Sequence, residues 1–130
     1  IRHLFKRKEI EVIMLKILFV DDAADYLKTI SYVFMNKFEV YTASEVKEAI
    51  ALLNENKVDL VCSDLHMCGE TGVDLLQEMK QSGMEIPFIL MSGDTDSIEI
   101  RRAEYYGAIF VAKDRDIVSQ IKKIAGKIKN

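Results

Sequence analysis

The sequence predicts an α/β domain built on a doubly wound, five-stranded parallel sheet. Two observations lead there. Short apolar runs alternate five times with stretches of helical periodicity, in units of about two dozen residues. Most of the runs are apolar throughout, as strands covered on both faces are, and they stop abruptly at a polar or charged residue. Such a chain forms a parallel sheet with helices on both faces and right-handed crossovers.

The elements follow in order. Leu15 to Val20 (LKILFV) is a buried strand ended by Asp21 and Asp22. Asp25 to Asn36 places Leu27, Ile30 and Phe34 at helical spacing, with Tyr26 and Val33 widening the stripe. Phe38 to Ala43 alternates enough for a strand near an edge. Ser44 is the expected N-cap of a helix carrying Val46, Ala49, Ile50 and Leu53, which ends around Asn54 to Lys57. Val58 to Asp64 is a strand buried on both faces, and the polar, Gly-containing segment after it reads as a loop. Gly72 opens a helix with Val73, Leu76 and Met79 on one face, and Gly83 stands where a left-handed cap is expected. Pro87 starts a strand, Phe88 to Met91, that runs into Ser92, Gly93 and Asp94. Ser97 to Tyr106 reads as a short helix stopped by Gly107, Ile109 to Val111 as the fifth strand with Lys113 just past it, and a last helix from about Asp116 aligns Ile117, Ile121, Ile124 and Ile128.

Composition limits what the chain can be. At 130 residues and 49% hydrophobic content it can bury one core, so residues 14–130 form one domain and residues 1–13 are a charged extension in which His3 has no role. A net charge of -3 and a pI near 5.4 give no basic field for nucleic acid. Glu11 and Lys16 break the N-terminal apolar run well short of a membrane span, and no signal-peptide cleavage pattern follows. Cys62 and Cys68 lack CxxC spacing and read as free thiols in a reducing, cytoplasmic setting.

The chemistry lies in the residues that end the strands. Ligands of open parallel sheets bind at the carboxyl edge. If the first and third strands are neighbours, Asp21, Asp22 and Asp64 meet there, and three carboxylates in one crevice repel unless a cation or protons join them. Oxygen-only ligation suits Mg²⁺ beside a phosphoryl group. Ser92 adds a hydroxyl and Lys113 a mobile positive charge. An acid nucleophile, a metal site, a donor and a cation form the set needed to take a phosphoryl group onto a carboxylate.

These residues together resemble the receiver domain of response regulators, the CheY-like modules of two-component signalling. The resemblance runs from Leu15 to about Lys129. It rests on Asp21 and Asp22 after LKILFV, Asp64 in LVCSD, Gly72 eight residues later, Ser92 in ILMSG and Lys113 in IFVAK. It implies a flavodoxin-like (βα)5 fold with strand order 2-1-3-4-5. It implies phosphorylation of Asp64 by the phosphohistidine of a histidine kinase or histidine phosphotransfer protein. Mg²⁺ would be held by Asp22, Asp64 and the backbone carbonyl of His66, with Asp21 acting mainly through water. Ser92 and Lys113 would grip phosphoryl oxygens. Movement of Ser92 would let Phe110 turn inward and remodel the helix 4, strand 5, helix 5 face for an effector or a second copy. His66 and Asp94 would tune self-dephosphorylation. The resemblance implies a phosphoacceptor signalling domain, which is not an enzyme in the usual sense.

Two positions depart from the family pattern. Cys68 and Asp114 stand where prolines are usual, four residues after the phosphoacceptor and directly after the lysine. A cis peptide at Lys113 to Asp114 is disfavoured by about 2.5 to 4 kcal/mol without proline. A trans bond is therefore expected, with Lys113 less tightly held in the unphosphorylated state and Asp114, Arg115 and Asp116 forming a mobile charged turn. His66 and Cys68 do not make a zinc spacing. An aspartate-nucleophile phosphatase would carry DxD spacing at the first strand and a cap insertion, both missing here. A phosphorylation-independent pseudo-receiver would not need the full set of Asp64, acidic pair, Ser92 and Lys113.

Overall fold

The computed structural model describes residues 14–94 and 97–128. The expected extension, residues 1–13, lies outside the described residues. The main sheet has strands β1 (Lys16–Val20), β2 (Glu39–Ala43), β3 (Leu60–Asp64), β4 (Phe88–Ser92) and β5 (Ile109–Ala112). All pair in parallel in the order β2-β1-β3-β4-β5. The helices are α1 (Ala24–Phe34), α2 (Val46–Glu55), α3 (Gly72–Gln81), α4 (Ile98–Tyr105) and α5 (Ile117–Ile128).

Strand periodicity sorts the core into two layers. Ile17 and Phe19 of β1, Leu60 and Cys62 of β3, and Ile89 and Met91 of β4 face Ile30 and Phe34 of α1 and Ile117 and Ile121 of α5. Leu18, Val20, Val61 and Leu90 point the other way, onto Leu53 of α2, Leu75, Leu76 and Met79 of α3, and Ala103 of α4. Burying a side chain such as Phe34 contributes about 1.5 to 3 kcal/mol. That is the energy holding the helices against the sheet and the strand ends in place.

Local chemistry sets the boundaries. Thr71 and Asp74 form a reciprocal capping box that starts α3, and Ser97 caps α4 by accepting from the Ile100 N–H. Gly83 and Gly107 take positive φ of 76° and 98° as the chain leaves α3 and α4. Two expectations need correction. Glu45, not Ser44, is the N-cap of α2, and its side chain makes no cap bond. Ser44 instead donates its N–H to Glu48, while Glu70, from the segment after Asp64, accepts the Val46 N–H at 2.8 Å. That segment is more ordered than a loop. His66–Met67 and Glu70–Thr71 pair antiparallel around a two-residue turn in which Gly69 has φ 77°. A supplied acceptor on Glu70 removes the need for a side-chain cap at residue 45.

Candidate functional site

Asp21 and Asp22 follow β1, Asp64 closes β3, Ser92 closes β4 and Lys113 follows β5. Because the strands are parallel, all five arrive at one edge, with β1 and β3 adjacent. Asp21 is 1% exposed. Its Oδ1 accepts from the Ala23 N–H at 2.9 Å and its Oδ2 from Lys113 Nζ at 2.7 Å. Lys113 Nζ also lies 3.1 Å from Asp64 Oδ1 and 4.2 Å from the centroid of the Tyr26 ring. Asp22 is exposed, and its Oδ2 accepts from the Cys68 N–H at 2.7 Å. One carboxylate oxygen from each of Asp21, Asp22 and Asp64 lies within 4.8 Å of the others.

Three carboxylates thus face one ammonium. Burial raises the Asp64 carboxyl above its ordinary value and the Asp21 charge raises it further, while Lys113 and the Leu65 N–H pull it back. Burial opposes the Lys113 charge, yet its bonds to Asp21 and Asp64 outweigh that and hold its pKa above the ordinary lysine value. Burial also raises the Tyr26 phenol, partly offset by the Lys113 cation. The crevice keeps an excess of negative charge on oxygen ligands alone, so its residues fit a hard divalent cation.

The remaining expected residues surround this cluster. Ser92 is 2% exposed, its Oγ accepts the Asp94 N–H at 3.0 Å, and its carbonyl accepts the Lys113 N–H at 2.8 Å. His66 Nε2 stands 3.5 Å from Asp94 Oδ2, both side chains exposed at the rim. Phe110 is half-buried against the core layer of α2, α3 and α4. The Lys113 to Asp114 bond is trans, as expected. The expected looseness of Lys113 is not observed. Its ammonium is fixed between Asp21 and Asp64, and the following turn is hydrogen-bonded, with Asp114 Oδ1 accepting the Asp116 N–H at 2.9 Å. Attraction from two carboxylates, not the geometry of the next peptide, decides where the lysine sits.

Residues 17–125 match the family described as the response regulator receiver domain. The chain belongs to that family. It is a receiver of two-component signalling. The chain is 31% identical over 121 residues to the response regulator SaeR of Staphylococcus aureus, a match covering 89% of this chain and 53% of SaeR. The receiver therefore spans about half the length of the curated relatives it matches. Among solved structures, the chemotaxis protein CheY4 of Vibrio cholerae superposes with a TM-score of 0.78 at 24% identity, covering 88% of this chain and 98% of that one. The response regulator TrrA of Thermotoga maritima, in complex with Mg(2+)-BeF, gives 0.78 at 22%, covering 88% and 99%. These two likenesses show the fold. Among the described residues no helix is long and apolar enough to cross a membrane.

Three features of this receiver's site escaped sequence reasoning. Tyr26 reads from the sequence only as part of the α1 stripe, although an aromatic four residues after an acidic pair is placed to meet the carboxyl edge. The Cys68 amide is invisible to side-chain reading. Gly72 allows a contact that no other residue would: a Cβ there would lie 2.5 Å from the Asp64 carbonyl oxygen.

Proposed function

We propose that Asp64 is the phosphoacceptor of this receiver and that its donor is the phosphohistidine of a sensor histidine kinase or a histidine phosphotransfer protein. The observation that carries this reading is the Lys113 ammonium held between Asp21 and Asp64 at the carboxyl edge. Phosphoryl transfer depends mainly on positioning and charge neutralisation, and a fixed cation beside the acceptor supplies both. An Asp64 carboxylate oxygen bonds to phosphorus as the P–N bond to the donor imidazole breaks, the nitrogen keeping the electron pair. Asp22, Asp64 and the His66 backbone carbonyl would hold Mg²⁺, with Asp21 acting through water; the ion supplies neutralising charge to the phosphoryl oxygens. That the response regulator TrrA, which shares the fold, was solved in complex with Mg(2+)-BeF supports Mg²⁺ use at this edge.

Ser92 uses its Oγ as an acceptor from Asp94, which leaves its O–H to donate to a phosphoryl oxygen. That new bond biases the packing of half-buried Phe110, and with it the surface of α4, β5 and α5, where Tyr105 and Ile109 are exposed. The partner on that surface is a downstream effector or a second copy. His66 and Asp94 at the rim tune hydrolysis of the acyl phosphate. The domain acts in the cytoplasm, where its two free thiols stay reduced. It turns over no separate substrate, and its chemistry is limited to self-phosphorylation from small donors and self-dephosphorylation.

The test is intact mass after incubation with Mg²⁺ and acetyl phosphate. The wild type gains one phosphoryl increment and loses that gain in EDTA, whereas Asp64→Asn gains none. An equal increment on Asp64→Asn would overturn the assignment.

A further inference from the structure

Lys113 has a long, four-carbon stem and a side chain 23% exposed, so solvent competes for its ammonium. Asp21 and Asp64 hold it through one carboxylate oxygen each, at 2.7 Å and 3.1 Å. Its third neighbour is the face of Tyr26, 4.2 Å from the ring centroid, within the range of a cation–π contact. Tyr26 lies in the first turn of α1, tied to the acidic pair through the Asp21 to Ala23 bond and the Leu27 N–H to Ala23 carbonyl bond. The segment that places Asp21 therefore also places the ring. The Tyr26 hydroxyl is buried without a hydrogen-bond partner among the described residues, so the ring, not the O–H, makes the useful contact.

We infer that Tyr26 is a positioning residue whose ring face holds the Lys113 ammonium beside the Asp64 carboxylate before phosphorylation. This deepens the proposed function, since it rests on Lys113 serving the phosphoryl group at Asp64. A tyrosine that merely fills space beneath α1 would be replaced equally well by an aliphatic residue. A π-face contact would not.

The experiment pairs Tyr26→Phe, which keeps the ring, with Tyr26→Leu, which keeps apolar bulk. The Lys113 ε-methylene proton shift is read by NMR in Mg²⁺-free, unphosphorylated protein, assigned by comparison with Lys113→Arg. In wild type and Tyr26→Phe it should sit upfield of exposed lysines, through the ring current, and show an Overhauser effect to the ring protons. In Tyr26→Leu both signatures should vanish. Phosphorylation from acetyl phosphate should slow about fivefold in Tyr26→Leu, corresponding to about 1 kcal/mol at 1.36 kcal/mol per tenfold, and return in Tyr26→Phe. An unshifted Lys113 resonance in the wild type overturns the inference, whether or not Tyr26→Leu folds. So does a Tyr26→Leu protein that phosphorylates at the wild-type rate, or a Tyr26→Phe protein as slow as Tyr26→Leu. The NMR arm needs no phosphorylation, so it fails or succeeds independently of the assignment of Asp64.

Discussion

The Cys68 N–H donates to Asp22 Oδ2 at 2.7 Å, joining two residues 46 positions apart. A proline at position 68 has no N–H to give, so this bond exists because the chain departs from the family pattern there. It ties the short antiparallel turn to the acidic pair, one carboxylate oxygen of which, on Asp22, lies within 4.8 Å of oxygens of Asp21 and Asp64.

Removing that bond should weaken metal binding. Groups that orient a ligand typically alter affinity by about 10- to 100-fold when lost. Cys68→Pro is expected to raise the Mg²⁺ dissociation constant about tenfold by calorimetry, while Cys68→Ala, which keeps the amide, leaves it near the wild-type value. Equal affinities in all three proteins would show that Asp22 needs no such restraint.

Ionised Asp64 should cost this domain stability. Its folded-state pKa is raised, first by burial and then by Asp21, so the native state holds the proton more tightly than the unfolded chain. Above the raised pKa the native carboxylate is charged in a place that disfavours charge. As pH falls through that pKa, the native state takes up the proton first and the cost disappears. Asp64→Asn should therefore raise the melting temperature at neutral pH, by about 4 °C for each kcal/mol relieved, and the gain should shrink in acid. Melting curves from pH 4 to 8 without Mg²⁺ check this. A gain that grows toward low pH would reverse the sign of the argument.

Gly72 and Gly126 should respond oppositely to alanine. A Cβ at Gly72 meets the Asp64 carbonyl oxygen at 2.5 Å, Leu90 Cδ1 at 2.8 Å and Ser63 Oγ at 3.0 Å, whereas one at Gly126 in α5 meets nothing within 4 Å. Gly72→Ala is expected to destabilise by about 1 to 3 kcal/mol. It should also slow phosphorylation by up to about 100-fold if the acceptor is displaced by an ångström. Gly126→Ala should stabilise by about 0.5 to 1 kcal/mol. Urea titrations of both variants measure the contrast.

The proposed switch predicts where amide exchange changes. With a beryllofluoride mimic and Mg²⁺, protection should change across residues 92–116, and Ser92→Ala should blunt that change while still binding the mimic. Identical exchange in that range, with and without the mimic, would remove the coupling from Ser92 to Phe110.

Most of the scaffold was legible because it is written locally. Short apolar runs such as Leu60 to Cys62, too brief for a helix and stopped by polar residues, read as strands covered on both faces, and the glycines at 83 and 107 mark helix ends through their backbone freedom. The convergence of Asp21, Asp22, Asp64 and Lys113 followed once the strand order was supplied by resemblance. What failed was reasoning from a neighbour in sequence when a neighbour in space decides. Asp114 in place of proline suggested a loose lysine, yet Lys113 answers to Asp21, 92 positions earlier. Ser44 looked like a cap because its type favours that role, but Glu70 from a distant turn already served the Val46 N–H.

The contact at Gly72 can also be considered as mechanics. The first residue of α3 abuts the Asp64 carbonyl with no room for even a methyl group, and its N–H is bonded to the Leu65 carbonyl at 2.9 Å. Such a joint has no slack. A force that slides α3 along its axis, or a partner that presses on its outer face, is delivered to the acceptor residue instead of being absorbed by an intervening loop. Helix α3 therefore serves the acceptor as a rigid strut, and the bare α-carbon at its end is the bearing.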